Sequence, residues 1–264
     1  MSKVYIRSSV LLSGPDPDFR QYIPPMQARR LGPLLKRALV SALTALEKAG
    51  LDVPDAILSG TGLGCMETTE RVLTGMKAGE EGVSPTDFMQ STHNTIASTI
   101  AIRLGCRGYN CSYSQADVSF ENALLDAYLL IASGEARTAL VCANDEMTEL
   151  TRQRLAASGY LRGEARGLSA AFVLSSTPEG ALCELASVEL FHGQAPRRPA
   201  TSRVLTEADW LPLYGHCPVS SAAGVQMGLQ ALSEKEFGQV LIWQDPEPDG
   251  SAVLLQKTNP SCSN

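Results

Sequence analysis

The residues best equipped for chemistry sit at two places in the 264-residue chain. One is Asp117, at the small-residue junction Gln115-Ala116-Asp117 between a short β-like run, 109–114, and a long apolar helical run, 119–133. A strand–elbow–helix of this kind lifts one side chain onto a helix N-terminus, where orphaned backbone N–H groups favour negative charge. A cysteine there would be a nucleophile. A carboxylate is instead a helix cap, or a general base if burial raises its pKa. The cap is the simpler reading and the one preferred. The other place is His216-Cys217, just ahead of a small-residue helix. A Cys–His dyad would activate a thiolate, but neighbours in sequence point in different directions on a helix or strand. Cys111 is a second spare thiol, while His93 and His192 have no metal-like spacing to a second ligand.

A glycine cluster, Gly60-Thr61-Gly62-Leu63-Gly64, follows a short apolar run at 56–59. It stops short of G-x-G-x-x-G, because Met66 and Glu67 follow Cys65, and no acidic residue ends a second strand at the right distance. Phosphate binding is therefore disfavoured. A tight turn that lets the backbone pass close to another element needs the same glycines.

A net charge of −6 argues against nucleic acid, whose phosphates call for clustered Lys and Arg. The small knots Arg29-Arg30 and Arg197-Arg198 read as solvated surface, or as a foothold for an acidic partner protein. No run reaches the ~18–20 apolar residues of a membrane span, and the N-terminal run has no cleavage-site pattern and reads as a strand. Seven cysteines without a C-x-x-C pair suit reduced thiols in a cytoplasmic protein. No cofactor or metal is called for.

The elements that must position these residues follow from periodicity. Strands are expected at 4–12, 56–59, 109–114, 138–142, 168–175 and 183–191, with a closing pair at 240–244 and 252–256 around a turn at 246–250. Helices are expected at 28–49, 68–77, 92–104, 119–133 and 220–232. Residues 79–85, 84–94 and 192–206 read as loops, and 258–264 as a frayed tail. The alternation predicts an α/β fold with a largely parallel sheet.

On its motifs the chain resembles a β-ketoacyl synthase of the thiolase-fold superfamily. Residues 60–64 resemble the G-x-G-x-G turn, and Ser84-Pro85-Thr86-Asp87-Phe88 resembles S-P-x-x-F. Asn94, Gly108 and the strand at 109–114 match the run leading to the nucleophile. Residues 168–174 resemble G-A-x-x-x-V-L, and 215–224 resemble G-H-x-x-G-A-A-G. The resemblance implies a thiolase-like α/β/α/β/α fold in a single domain, with a complete N-terminal half (1–165) and a shortened C-terminal half (166–264). It also implies lost chemistry. The nucleophile position holds Asp117, the lysine position holds Leu211, the H-G-T-x-T motif is absent, and His216 is the one retained match.

Within that superfamily the sequence is most similar to the short chain-length factors of aryl-polyene and flexirubin-type II polyketide systems. The implied role is a non-catalytic subunit that pairs with an active β-ketoacyl-ACP synthase, shapes its acyl or polyene tunnel, and meets acyl carrier protein through the complex. Tyr109, Asn110, Cys111, Ser112, Tyr113 and Ser114 would form the strand at the dimer two-fold. Phe88 and Met89 would approach the partner's tunnel, and Leu63, Met66 and Glu70 occupy the gating region. Two alternatives stand: an independent acyl-transfer or condensing enzyme using Cys111 or Cys217, and a homodimeric binding or scaffold protein.

Overall fold

A computed structural model describes residues 2–79, 82–197, 203–234, 237–245 and 248–258. Strand Val4–Ser13 (β1) opens the chain. The stretch that reads as one helix from residue 28 is two, Pro25–Ala28 (α1) and Pro33–Ala49 (α2). Gly32-Pro33 makes the break: proline fits the first turn of a helix and turns the residue before it away from helix. Ala56–Gly60 (β2) leads through the glycine cluster into Met66–Ala78 (α3). Residues 85–90, expected as loop, form Pro85–Gln90 (α4), where the Ser84 side chain accepts from Asp87 N–H and Pro85 takes the first turn.

Thr95–Leu104 (α5), Tyr109–Tyr113 (β3), Ser119–Ser133 (α6) and Thr138–Asp145 (β4) follow as expected, β4 running longer. Glu149–Ala157 (α7) was not expected; Thr148 caps it by accepting from Thr151 N–H at 3.0 Å. Then come Leu168–Ser175 (β5), Cys183–His192 (β6), Arg203–Leu205 (β7), Glu207–Tyr214 (α8), Ser221–Ser233 (α9), Gln239–Gln244 (β8) and Asp249–Gln256 (β9). Strand β7 interrupts the expected loop, and α8 begins where Asp209 accepts from Thr206 N–H at 2.7 Å. Parts of that loop and of the 246–250 turn, and the tail at 259–264, lie outside the described residues.

The described strands form one mixed sheet in the order β3-β2-β4-β5-β1-β6-β9-β8-β7. Only β2–β3, β2–β4 and β7–β8 are parallel, so the expectation of a largely parallel sheet fails. Alternation of strand and helix does not fix direction. A connection as short as 245–248 can only join antiparallel strands, and β8 and β9 are such a pair.

Residues Val4–Ile6 and Cys183–Leu185 make the short β1–β6 join between an N-terminal and a C-terminal set of strands. A central apolar cluster draws Phe120 and Leu124 from α6, Trp210 from α8, and Val225 and Leu229 from α9 against strands of both sets. A second cluster packs Leu34 and Leu39 of α2, with Ile96 and Ile100 of α5, on the other face of the N-terminal strands. The far face of the C-terminal strands holds Leu241, Trp243 and Ala252, to which no described helix contributes. Among the described residues the layering is thus α/β/α/β, and the fold is thiolase-like. No helix of the described residues is long and apolar enough to cross a membrane.

Candidate functional site: the elbow before helix α6

Among the described residues Ala116 is the one non-glycine with positive φ, at 46°. Ser119 holds it there, its Oγ accepting from Gln115 N–H at 2.8 Å and donating to Ala116 O at 2.7 Å. Two glycines let the elbow sit where it does. A Cβ on Gly60 would lie 2.5 Å from Phe120 Cα, and one on Gly62 would lie 2.4 Å from the Pro218 ring. The bland reading of the glycine cluster is therefore the right one.

The cluster does cradle an anion, and the anion is internal. Asp145 accepts from Thr61 Oγ1 at 2.7 Å, Gly62 N–H at 3.1 Å, Leu63 N–H at 2.8 Å and Gly64 N–H at 3.3 Å. Burial pushes its carboxyl up to about 6, against the pull of those donors.

Asp117 is not a helix cap. Val118 holds the N-cap position of α6, without a capping side-chain hydrogen bond. A 3-10 turn at Ala116–Val118 separates the elbow from the helix, and the carboxylate finds stronger donors elsewhere. Tyr160 OH donates to Oδ1. Arg162 Nη2 donates to Oδ2 at 2.8 Å and also to Glu207 Oε1 at 2.8 Å. The guanidinium is thereby clamped between carboxylates from α6's approach and from α8.

His216 is fully buried. Its Nδ1 accepts from Arg162 N–H at 3.3 Å, and its ring lies 5.3 Å from that of Tyr160. Nε2 stands 4.0 Å from Asp117 Oδ1 and has no hydrogen-bond partner among the described residues. Burial, reinforced by Arg162, lowers its pKa to about 4, although Asp117 pulls the other way. The ring is neutral at pH 7, and with Nδ1 accepting, the proton sits on Nε2. His216 N–H donates to Glu164 O at 2.7 Å, and Arg166 N–H to His216 O at 3.2 Å, so residues 164–166 are laced to the histidine.

One turn beyond Asp117, Glu121 is buried in α6 and accepts from Ser251 Oγ at 3.1 Å. Burial raises its carboxyl to about 7. Gln244 Nε2 donates to Asp117 O at 3.2 Å, tying the same turn to β8.

Asp117 and His216, both singled out in sequence, thus come together. Leu211 is buried on α8 and lines a cleft of about 370 Å³ beside Arg162, Glu207 and Pro212. Tyr160, Arg162 and Glu207 were missed, since they belong to no motif and lie in a segment the periodicity left blank. Cys217 is buried, which drives its thiol pKa well above the usual value and removes the thiolate. Cys111 is half-buried on β3.

The other sequence candidates lie elsewhere. Strand β3 is bonded on one side, to β2, and Tyr109, Asn110 and the following Ser114 are exposed. Tyr109 OH and Tyr113 OH both donate to Asp126 Oδ2, at 2.9 and 2.8 Å, and Asn110 Nδ2 donates to Ala97 O at 3.2 Å. Ser112 Oγ has no partner among the described residues. Phe88 and Met89 on α4 are 58% and 66% exposed, and Leu73 and Met76 of the adjoining α3 are exposed as well. Leu63 and Met66 are half-buried, and Glu70 accepts from Thr148 and Thr151, anchoring α7. No group of three His, Cys, Asp or Glu among the described residues could hold a metal.

Fold and site together define a thiolase-like α/β protein whose elbow carries a carboxylate clamped by Tyr160 and Arg162. The chain belongs to the β-ketoacyl synthase family: the model of that family's N-terminal domain matches residues 8–209. A 3-oxoacyl-[acyl-carrier-protein] synthase 2 from Vibrio cholerae is 30% identical over 129 residues, which is 45% of this chain and 30% of that protein's length. A type II PKS acyl-carrier protein in complex with its ketosynthase, bound to the hexaketide, contains a chain that superposes with a TM-score of 0.83 at 15% identity, covering 98% of this chain and 100% of that one. The ishigamide ketosynthase/chain length factor superposes with a TM-score of 0.78 at 15% identity, covering 97% and 100%. The ketosynthase ApeO in complex with its chain length factor ApeC, from Xenorhabdus doucetiae, does so with a TM-score of 0.75 at 12% identity, covering 97% and 98%. At these identities the superpositions establish the fold.

Proposed function

We propose that the chain is a chain-length-factor-type subunit, without condensing activity of its own, of an aryl-polyene-type polyketide system in the cytoplasm. The observation that carries this reading is Asp117. At the nucleophile position stands a carboxylate already bound by Tyr160 and Arg162, beside a neutral His216. A carboxylate so engaged is a poor acyl acceptor, and burial keeps the neighbouring Cys217 thiol protonated.

The partner is an active ketosynthase. The open edge of β3, from Tyr109 to Ser114, and the exposed Phe88, Met89, Leu73 and Met76 support a protein interface there. Leu63, Met66 and Glu70 serve as the tunnel-facing set, and acyl carrier protein is met through the complex. The halves 1–165 and 166–264 act as one domain.

Co-purification from the native host tests the reading. A one-to-one complex with a cysteine-bearing ketosynthase is expected, active in condensation only when both chains are present. Acylation of this chain alone by a carrier-bound substrate would sink the proposal. So would its recovery as a stable homodimer without a synthase.

A further inference from the structure

We propose that Tyr160, Arg162 and His216 form a recognition site for a small carboxylate, and that Asp117 is its built-in occupant. The inference goes beyond the partner reading and does not depend on it.

Three donors from separate positions converge on one carboxylate. Tyr160 OH reaches Oδ1, Arg162 Nη2 reaches Oδ2 at 2.8 Å, and His216 Nε2 stands 4.0 Å from Oδ1. Guanidinium, phenol and imidazole N–H are each donors that suit an ionised acid. The His216 nitrogen is fully buried and bonded to nothing else described, so it is a donor held in reserve for this position. Nor does the guanidinium depend on Asp117 for its place. Glu207 holds it from the other side at 2.8 Å, and the backbone of Arg162 is fixed by its N–H bond to His216 Nδ1 at 3.3 Å. Arg162 also lines a neighbouring cleft with Glu207 and Leu211, and the Asp117 side chain itself is 13% exposed, so the position is not sealed from solvent. With its own side chain in the site, the native protein excludes outside acids from it.

The geometry fixes the size of acid that each vacated site accepts. Asp117→Ala removes a group the size of formate, and Asp117→Gly removes one the size of acetate. Thermal unfolding of wild type and both variants is measured in sodium formate, acetate and chloride at equal ionic strength and pH 7. A ligand that binds only the folded state raises Tm saturably. Formate should stabilise the alanine variant more than acetate does, acetate should stabilise the glycine variant more than formate does, and neither should act on wild type. Adding Arg162→Met to Asp117→Ala should abolish the formate effect. Equal behaviour of the three salts on both variants would overturn the proposal, as would a formate effect that survives Arg162→Met. Should the alanine variant not fold in chloride, recovery of its folded circular dichroism spectrum in formate supports the site, and failure in both salts overturns it.

Discussion

At the scale of single residues, the elbow region carries several buried ionisable groups whose pH responses oppose one another. Glu121 is raised from its usual 4.5 to about 7 by burial. A raised carboxyl means the folded state holds the proton more tightly than the unfolded one, so stability falls as pH climbs from 4.5 through 7. Asp145 and Glu146 shift the same way, to about 6 and about 7. His216, lowered from 6.5 to about 4, acts in the opposite sense: its contribution is lost as pH drops from 6.5 towards 4. We expect Glu121→Gln to match wild type near pH 4.5 and to exceed it at pH 8 by up to roughly 3 kcal/mol. Urea unfolding at the two pH values measures the difference, and an equal difference at both would refute the assignment. Arg162→Met leaves the Asp117 and Glu207 carboxylates facing each other without their shared cation. Both are partly exposed, so the loss should be about 1–3 kcal/mol rather than the larger figure for a fully buried pair. Asp117 and His216 were legible in the sequence because each sits in a recognisable local pattern. Their partners were not, because Tyr160 and Arg162 reach Asp117 across 43 and 45 residues of chain with no spacing rule to betray them.

At the scale of elements, what the sequence revealed depended on how much apolar face an element buries. Helix α6 buries so many of its residues that its ends, Ser119 and Ser133, could be read directly. Helices α7 and α8 could not. One buries a single described residue, Thr151, and the other carries Pro212 in its interior. Strand direction was misjudged for a different reason. Hydrophobic period reports which face is buried and is silent on which way a neighbour runs. The glycine turn, by contrast, owes its conformation to long-range contact, and that can be tested. Gly62→Ala would press a Cβ to 2.4 Å from the Pro218 ring, and Gly60→Ala would press one against the α6 backbone at Phe120. Neither obstacle is the flexible end of a side chain. Both substitutions should destabilise by about 1–3 kcal/mol or more, Gly60→Ala the worse because a helix backbone would have to move. Denaturant midpoints for the pair give the ranking. A neutral Gly60→Ala would mean that α6 is not seated on β2 as described.

At the scale of the whole molecule, helices α6, α8 and α9 pack between the N-terminal and C-terminal strands, while no described helix covers Leu241, Trp243 and Ala252 on the far face. Buried chemistry and exposed surface have parted company: the elbow is occupied from within, whereas α3, α4 and β3 leave apolar side chains and an unpaired strand edge in solvent. Exposed Phe88 and Met89 contribute little to the stability of the isolated chain, because they are already in water. If they are interface anchors, their value emerges only on association, where a few desolvated aromatic and apolar side chains dominate the energy. The double substitution Phe88→Asp and Met89→Asp separates these two conditions. Thermal unfolding of the isolated chain should change by no more than about 0.5 kcal/mol, the range of ordinary surface substitutions. Affinity for the proposed ketosynthase partner should fall at least about tenfold, equivalent to 1.4 kcal/mol. Sedimentation of the mixed subunits against each chain alone reads the second quantity. Undiminished association in a variant that folds normally would remove α4 from the interface and leave the β3 edge as the remaining contact to test.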